Sequence, residues 1–167
     1  MTKIKKLVEI LEQEYGLYAQ LLKALEEETT ALKTWDHEGI NAKMKEKEAI
    51  SSHLRNMGAK MRGLITEIAA ETGKSGAELT LSSLAKTYES TPEGKALLEA
   101  REKLINISLK TAELNNLNRG LIGSAVAITK KCIGYLNRIT GGPVDTYSSD
   151  KVVVGNMRPG MLLTRTY

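Results

Sequence analysis

The segment "IKKLVEILEQEYGLYAQLLKALEEETTAL" (residues 4–32) decides the fold class, because its apolar residues recur every seven positions. The repeat is carried by Ile4, Leu11, Tyr18, Leu25 and Leu32. Such a repeat places the side chains along one face of an α-helix and is typical of helices that pack side by side. The sequence therefore predicts an amphipathic helix over about residues 2–35.

A second helix is predicted over about residues 37–72. Asp36 precedes it and is suited to cap its first turn, and the glycines of "TGKSG" (residues 72–76) are typical of a helix end. One residue departs from the apolar stripe of this helix, namely Lys47. We expect its aliphatic stem to follow the stripe while its ammonium group stays in water.

A third long helix is predicted over about residues 92–139, and a short helix over about residues 79–89 precedes it. In "STPEG" (residues 90–94), Thr91 is suited to the N-cap and Pro92 to the first helical position. The "GGP" at residues 141–143 is expected to end the helix. This helix is longer than the other two, so its apolar residues beyond about Gly120 should lack cover and require a partner.

These elements predict an all-α fold, an elongated antiparallel three-helix bundle or coiled coil with a non-helical C-terminal tail. The bundle would take residues 1–140 and the tail residues 141–167. A chain of 167 residues, of which 41% are hydrophobic and 26% charged, is suited to one domain with a buried core.

Charge and cysteine content narrow the function classes. The formal net charge of +4 is spread over interleaved acidic and basic residues, which favours solvated helix faces over a nucleic-acid footprint. Cys132 is the single cysteine, so no disulfide framework is possible, and we expect it to be a small buried apolar side chain. No signal peptide or long apolar run is recognisable. We therefore expect a cytoplasmic protein without membrane insertion or nucleic-acid binding.

No motif indicates catalysis or a cofactor. The "GKS" at residues 73–75 lacks the earlier glycine of a phosphate-binding loop, since Ile68 stands there. His37 and His53 lie too far apart on one helix to share a metal ion, and no histidine is placed to activate Cys132. We expect a protein that is not an enzyme and has no metal or cofactor site.

Two asparagines lie on the apolar side of the third long helix. Asn115 and Asn118 belong to "LNNLN" (residues 114–118). One interpretation is register control, in which a seam asparagine disfavours slipped helix pairings. The other is a polar anchor for an incoming helix, and in that case Asn118→Leu should stabilise the free protein and weaken partner binding.

Three motifs, in this order, give the chain a resemblance to a known family. They are "DHEGINAKMKEKEAISSHL" (residues 36–54) followed by Arg62, then "LNNLN", then "TY" (residues 146–147) ahead of a polar tail. The chain resembles the FlgN-type flagellar export chaperones over nearly its whole length. Its tail is longer and more apolar than many tails of that family.

The resemblance implies a cytoplasmic, non-enzymatic chaperone of flagellar type III secretion. Its substrates would be the hook-associated proteins FlgK and FlgL, which it would keep from assembling prematurely. It would deliver them to the export-gate receptor FlhA, and the family ties this docking to the tyrosine after the last helix, here Tyr147. The predicted substrate-binding residues are Asn115, Asn118, Leu121, Ile122, Ala125, Ile128, Cys132 and Leu136.

Several alternatives stay open at this point. The chain could be a structural coiled-coil scaffold or homo-oligomeric adaptor, whereas a chaperone should be a monomer or weak dimer. The tail "DKVVVGNMRPGMLLTRTY" (residues 150–167) could fold back over the exposed stripe or be a disordered solubilising segment. The sequence does not say which hook-associated protein is the substrate, or what the connector at residues 73–91 does.

Overall fold

The computed structural model describes residues 2–72 and 79–140, and within them the chain is helical without any strand. Its helices are α1 (Lys3–Thr34), α2 (His37–Thr72), α3 (Leu81–Thr87) and α4 (Pro92–Thr140). The expectation of an all-α fold is confirmed. The third long helix of the sequence prediction is α4, and the short helix is α3. None of these helices is long and apolar enough to cross a membrane.

The junction between α1 and α2 is built from two local features. Trp35 follows α1 in the left-handed region, with φ at 56°, and its N–H donates to the carbonyl of Ala31. The Asp36 carboxylate then accepts a hydrogen bond of 3.0 Å from the N–H of Gly39, in the first turn of α2. A Cβ atom at Gly39 would meet that carboxylate, so a larger residue there would require the Asp36 side chain to shift. The predicted cap at Asp36 is confirmed.

The starts of α3 and α4 are also capped by side chains. Thr80 and Ser83 form a capping box, in which each hydroxyl oxygen accepts from the other residue's backbone N–H. At α4 the Thr91 hydroxyl accepts from the N–H of Gly94 at 3.1 Å and donates to the carbonyl of Tyr88 at 2.7 Å. The predicted start of the third long helix at Thr91 and Pro92 is thus confirmed.

The core of residues 1–122 shows how the helices run. Leu7 and Leu11, near the start of α1, share one apolar cluster with Ile68 of α2 and Leu97 of α4. Ile68 lies near the end of α2 and Leu97 near the start of α4. Near the end of α1, by contrast, Glu28 contacts the early part of α2. On α4 it contacts a residue that lies more than twenty positions after Leu97. In this unit α2 is therefore antiparallel to α1 and α4.

The chain divides into two compact units, residues 1–122 and residues 123–167. The described part of the second unit is the last part of α4. The predicted bundle of residues 1–140 and tail of residues 141–167 stay a prediction. Predictions for "TGKSG", "GGP", Tyr147 and the tail fall outside the described residues, either wholly or in part. The elongated three-helix bundle with a non-helical tail, taken as a whole, stays a prediction.

Candidate protein-binding surface

The side chain of Asn118 is buried in the first unit, with 1% of its surface exposed. Its Nδ2 donates to the Leu25 carbonyl at 2.9 Å and to Glu28 Oε2 at 3.0 Å. Its Oδ1 accepts from the Thr29 hydroxyl at 2.7 Å. All three bonds go to α1, so the amide is engaged inside the protein.

Glu28 extends this arrangement to α2. Its side chain is buried, and Lys47 Nζ donates to both of its carboxylate oxygens at 2.6 Å. A buried carboxylate is costly unless it is paired and hydrogen-bonded, and here Lys47 and Asn118 provide both conditions. We call Lys47, Glu28, Asn118, Thr29 and the Leu25 carbonyl the Asn118 network. It joins α2, α1 and α4 through polar groups.

The position of Lys47 corrects the sequence-based expectation. Its ammonium group was expected in water, but the side chain is only 20% exposed and the charge pairs with Glu28. The sequence analysis assigns no role to Glu28, so its pairing with Lys47 was not predicted. A signal was available in the sequence, because Glu28 lies on the same helical face as Leu7, Leu11 and Leu25. All of these residues are buried, and so is a second acidic residue on this face, Glu14.

The bonds of Asn118 are those that the register-control interpretation requires, because a shifted α4 would lose all three of them. Asn115 differs, since its side chain is half-buried and forms no hydrogen bond within the described part of the chain. A contact of either asparagine with a substrate protein stays a prediction. Leu121 and Ile122, next along α4 in the first unit, are 39% and 38% exposed.

Unit two presents a row of exposed apolar side chains. At 3.6 residues per turn, the spacing of three and four residues brings them to one face of the helix. Ala125 is half-buried and the others are exposed. We call this set the α4 terminal face: Ala125, Ile128, Cys132, Tyr135, Leu136 and Ile139.

The predicted residues of this set, Ala125, Ile128, Cys132 and Leu136, therefore share a face. The prediction left out Tyr135 and Ile139, which are 69% and 75% exposed, although both continue the same spacing. The expectation that Cys132 is buried is wrong, because its side chain is exposed.

A further exposed apolar row was missed by the sequence reasoning. In the first unit, Leu98, Ile105 and Leu109 of α4 are 40%, 39% and 63% exposed. Their spacing of seven and four residues also places them on one helical face. This row supplies a matched control for substitutions in the α4 terminal face.

The fold and these exposed positions define a class, an all-helical protein whose candidate site is a helix surface suited to contacts with another protein. The family model described as "FlgN protein" matches residues 1–154. The chain therefore belongs to the FlgN family, which confirms the resemblance seen in its motifs. Membership in this family indicates a flagellar export chaperone. No curated protein and no solved structure matches the chain.

Several residues of the motifs that carry the family resemblance have a physical role in the structure. Asp36 caps α2, Lys47 neutralises the buried Glu28, and Asn118 bonds α4 to α1. Three residues of the family-like motifs thus stabilise the structure of the first unit. Tyr147, the residue tied by the resemblance to receptor docking, lies outside the described residues.

Proposed function

We propose that this FlgN-family protein binds the hook-associated proteins FlgK and FlgL in the cytoplasm through the α4 terminal face. It keeps them from assembling prematurely and delivers them to the export-gate receptor FlhA. The action is binding and release, without catalysis or a cofactor. Docking to FlhA is assigned to Tyr147 on the resemblance alone.

The observation that carries the proposal is the exposure of large apolar side chains at helical spacing. Ile128, Tyr135 and Ile139 are each more than half exposed. An amphipathic helix that lays its apolar stripe on such a face buries these side chains through anchors at i, i+3, i+4 and i+7. This is the form that the terminal segments of hook-associated proteins are expected to take.

The energetics favour a complex that can be released. Burying one large aliphatic side chain contributes about 1.5–3 kcal/mol. Ordering a disordered segment costs about 2–5 kcal/mol or more of the gross interaction energy. A face with a few such anchors therefore supports moderate affinity, as export requires.

The test compares two substitutions on the same helix. Ile128 and Leu109 are 58% and 63% exposed, and one belongs to the α4 terminal face whereas the other belongs to the first unit. We expect Ile128→Asp to abolish binding of FlgK or FlgL terminal segments in calorimetry, because docking would bury an uncompensated carboxylate. Leu109→Asp is expected to bind like the wild type.

Circular dichroism and urea unfolding of both variants provide the folding control. Exposed positions should tolerate aspartate with little change in stability. If Ile128→Asp folds and still binds with wild-type affinity, the α4 terminal face is not the substrate site. If Leu109→Asp alone loses binding, the site lies on the Leu98–Leu109 row.

The same exposed apolar residues also support a second candidate function, a homo-oligomeric scaffold. In that case a second copy of the chain would cover the α4 terminal face. Sedimentation velocity separates the two, since a scaffold is a stable oligomer that Ile128→Asp dissociates. A chaperone stays a monomer or weak dimer until substrate is added.

A further inference from the structure

The α4 terminal face has a basic edge. Lys131 and Arg138 are seven residues apart and therefore follow the same side of the row formed by Ile128 and Tyr135. Lys130 lies on the opposite side of the helix, next to Val126. All three basic side chains are exposed. In coiled coils, charges at positions that border the apolar seam set partner choice and orientation.

These positive charges are not neutralised within the described part of the chain. Lys130, Lys131 and Arg138 form no ion pair there. Residues 123–140 contain no Asp or Glu at all. Some lysines of the first unit are paired, as Lys3 is with Glu67 and Glu71.

From this arrangement we infer that the helix accepted by the α4 terminal face carries Asp or Glu along one edge of its apolar stripe, spaced by seven residues. The inference rests on the proposed function and specifies the chemistry of the substrate segment. Its apolar residues would cover Ile128 and Tyr135, while its carboxylates would lie along Lys131 and Arg138.

Two other possible occupants of the α4 terminal face, a second copy of the chain and the chain's own residues 141–167, complement its basic edge less well. A second copy of the chain would bring together two helices that carry only positive charge over residues 123–140. The chain's own residues 141–167 contain two aspartates, Asp145 and Asp150, but also three basic residues, Lys151, Arg158 and Arg165. Like charges across an interface oppose association, so a helix with an acidic edge is the best match.

The experiment reverses the charge of the edge. We compare wild type, Lys131→Glu/Arg138→Glu and Ile128→Asp by calorimetry against the FlgK and FlgL terminal segments, at low and high salt. The matched control is Lys45→Glu/Arg55→Glu, which changes one exposed lysine and one exposed arginine of α2 and gives the same net charge.

We expect the edge reversal to weaken binding about tenfold at low salt, because two exposed attractions become repulsions. The difference should shrink as salt is raised to about 0.5 M, since exposed charges are screened. The α2 control should stay within about twofold of the wild type, because its charges belong to another helix and do not border the α4 terminal face.

The outcomes separate this inference from the proposed function. If Ile128→Asp abolishes binding while the edge reversal matches the α2 control, the acidic edge is wrong and the substrate site stands. If the edge reversal strengthens binding, the substrate's edge is basic and the inference is overturned. If Ile128→Asp binds normally, both proposals fail. A wild-type dimer at low salt that Ile128→Asp dissociates would make a second copy the occupant.

Discussion

Replacing Asn118 by leucine tests whether the Asn118 network holds α4 on α1. The substitution keeps a side chain of similar size in the same buried position but removes its polar groups. Three hydrogen bonds disappear, two donated by Nδ2 and one accepted by Oδ1. The bond to Glu28 is the most important of these, since its acceptor is a charged group with 2% exposure.

The size of the expected loss in the free energy of unfolding follows from the kinds of hydrogen bond that the substitution removes. A hydrogen bond to a charged group contributes about 1.5–3 kcal/mol, and a neutral one about 0.5–1.5 kcal/mol. The gross loss is therefore about 2.5–6 kcal/mol, and burying the leucine side chain returns about 2 kcal/mol. We expect the free energy of unfolding to fall by about 0.5–4 kcal/mol. This is the opposite of the stabilisation expected from the sequence on the polar-anchor interpretation.

The assay is urea unfolding followed by circular dichroism, with the midpoint and slope compared between variants. Asn115→Leu is the control, because Asn115 is half-buried and has no charged partner in the described residues. Its stability should stay within about 0.5 kcal/mol of the wild type. Should Asn118→Leu prove as stable as the wild type or more so, the network would contribute no net stability and the argument would be refuted.

Two further predictions concern Glu14 and Tyr147. Glu14 is buried at 6% exposure, forms no hydrogen bond or ion pair in the described residues, and has its pKa raised by that burial. We therefore expect Glu14→Gln to raise the free energy of unfolding at pH 7 by about 1 kcal/mol. The pKa of Glu14 in the folded protein lies above its ordinary value of 4.5, so protonation favours the folded wild type. The stability advantage of Glu14→Gln should therefore shrink as pH falls through that raised pKa toward 4.5. Urea unfolding over a pH series measures this advantage, and a pH-independent difference would contradict the reasoning. Tyr147→Ala should keep FlgK and FlgL affinity and weaken binding to the FlhA cytoplasmic domain in calorimetry, whereas loss of FlgK and FlgL binding would contradict the separate assignment of Tyr147.

The sequence alone determined the helices and the starts of α2 and α4. Seven-residue spacing made α1 amphipathic, Asp36 marked the start of α2, and Thr91 with Pro92 marked the start of α4. These features depend on contacts within a few residues of the chain, so local rules suffice to find them. The exposed row through Ile128 was predictable in the same way, since one helix defines it.

Only the tertiary structure decided which polar groups meet. Asn118 bonds to Glu28 and to the Leu25 carbonyl, 90 and 93 residues away along the chain. Periodicity assigns a residue to a helix face, but it does not say which atoms of another helix face it. For this reason the pairing of Glu28 with Lys47 appeared only when α1, α2 and α4 were packed together, and so did the physical reason for a buried Asn118.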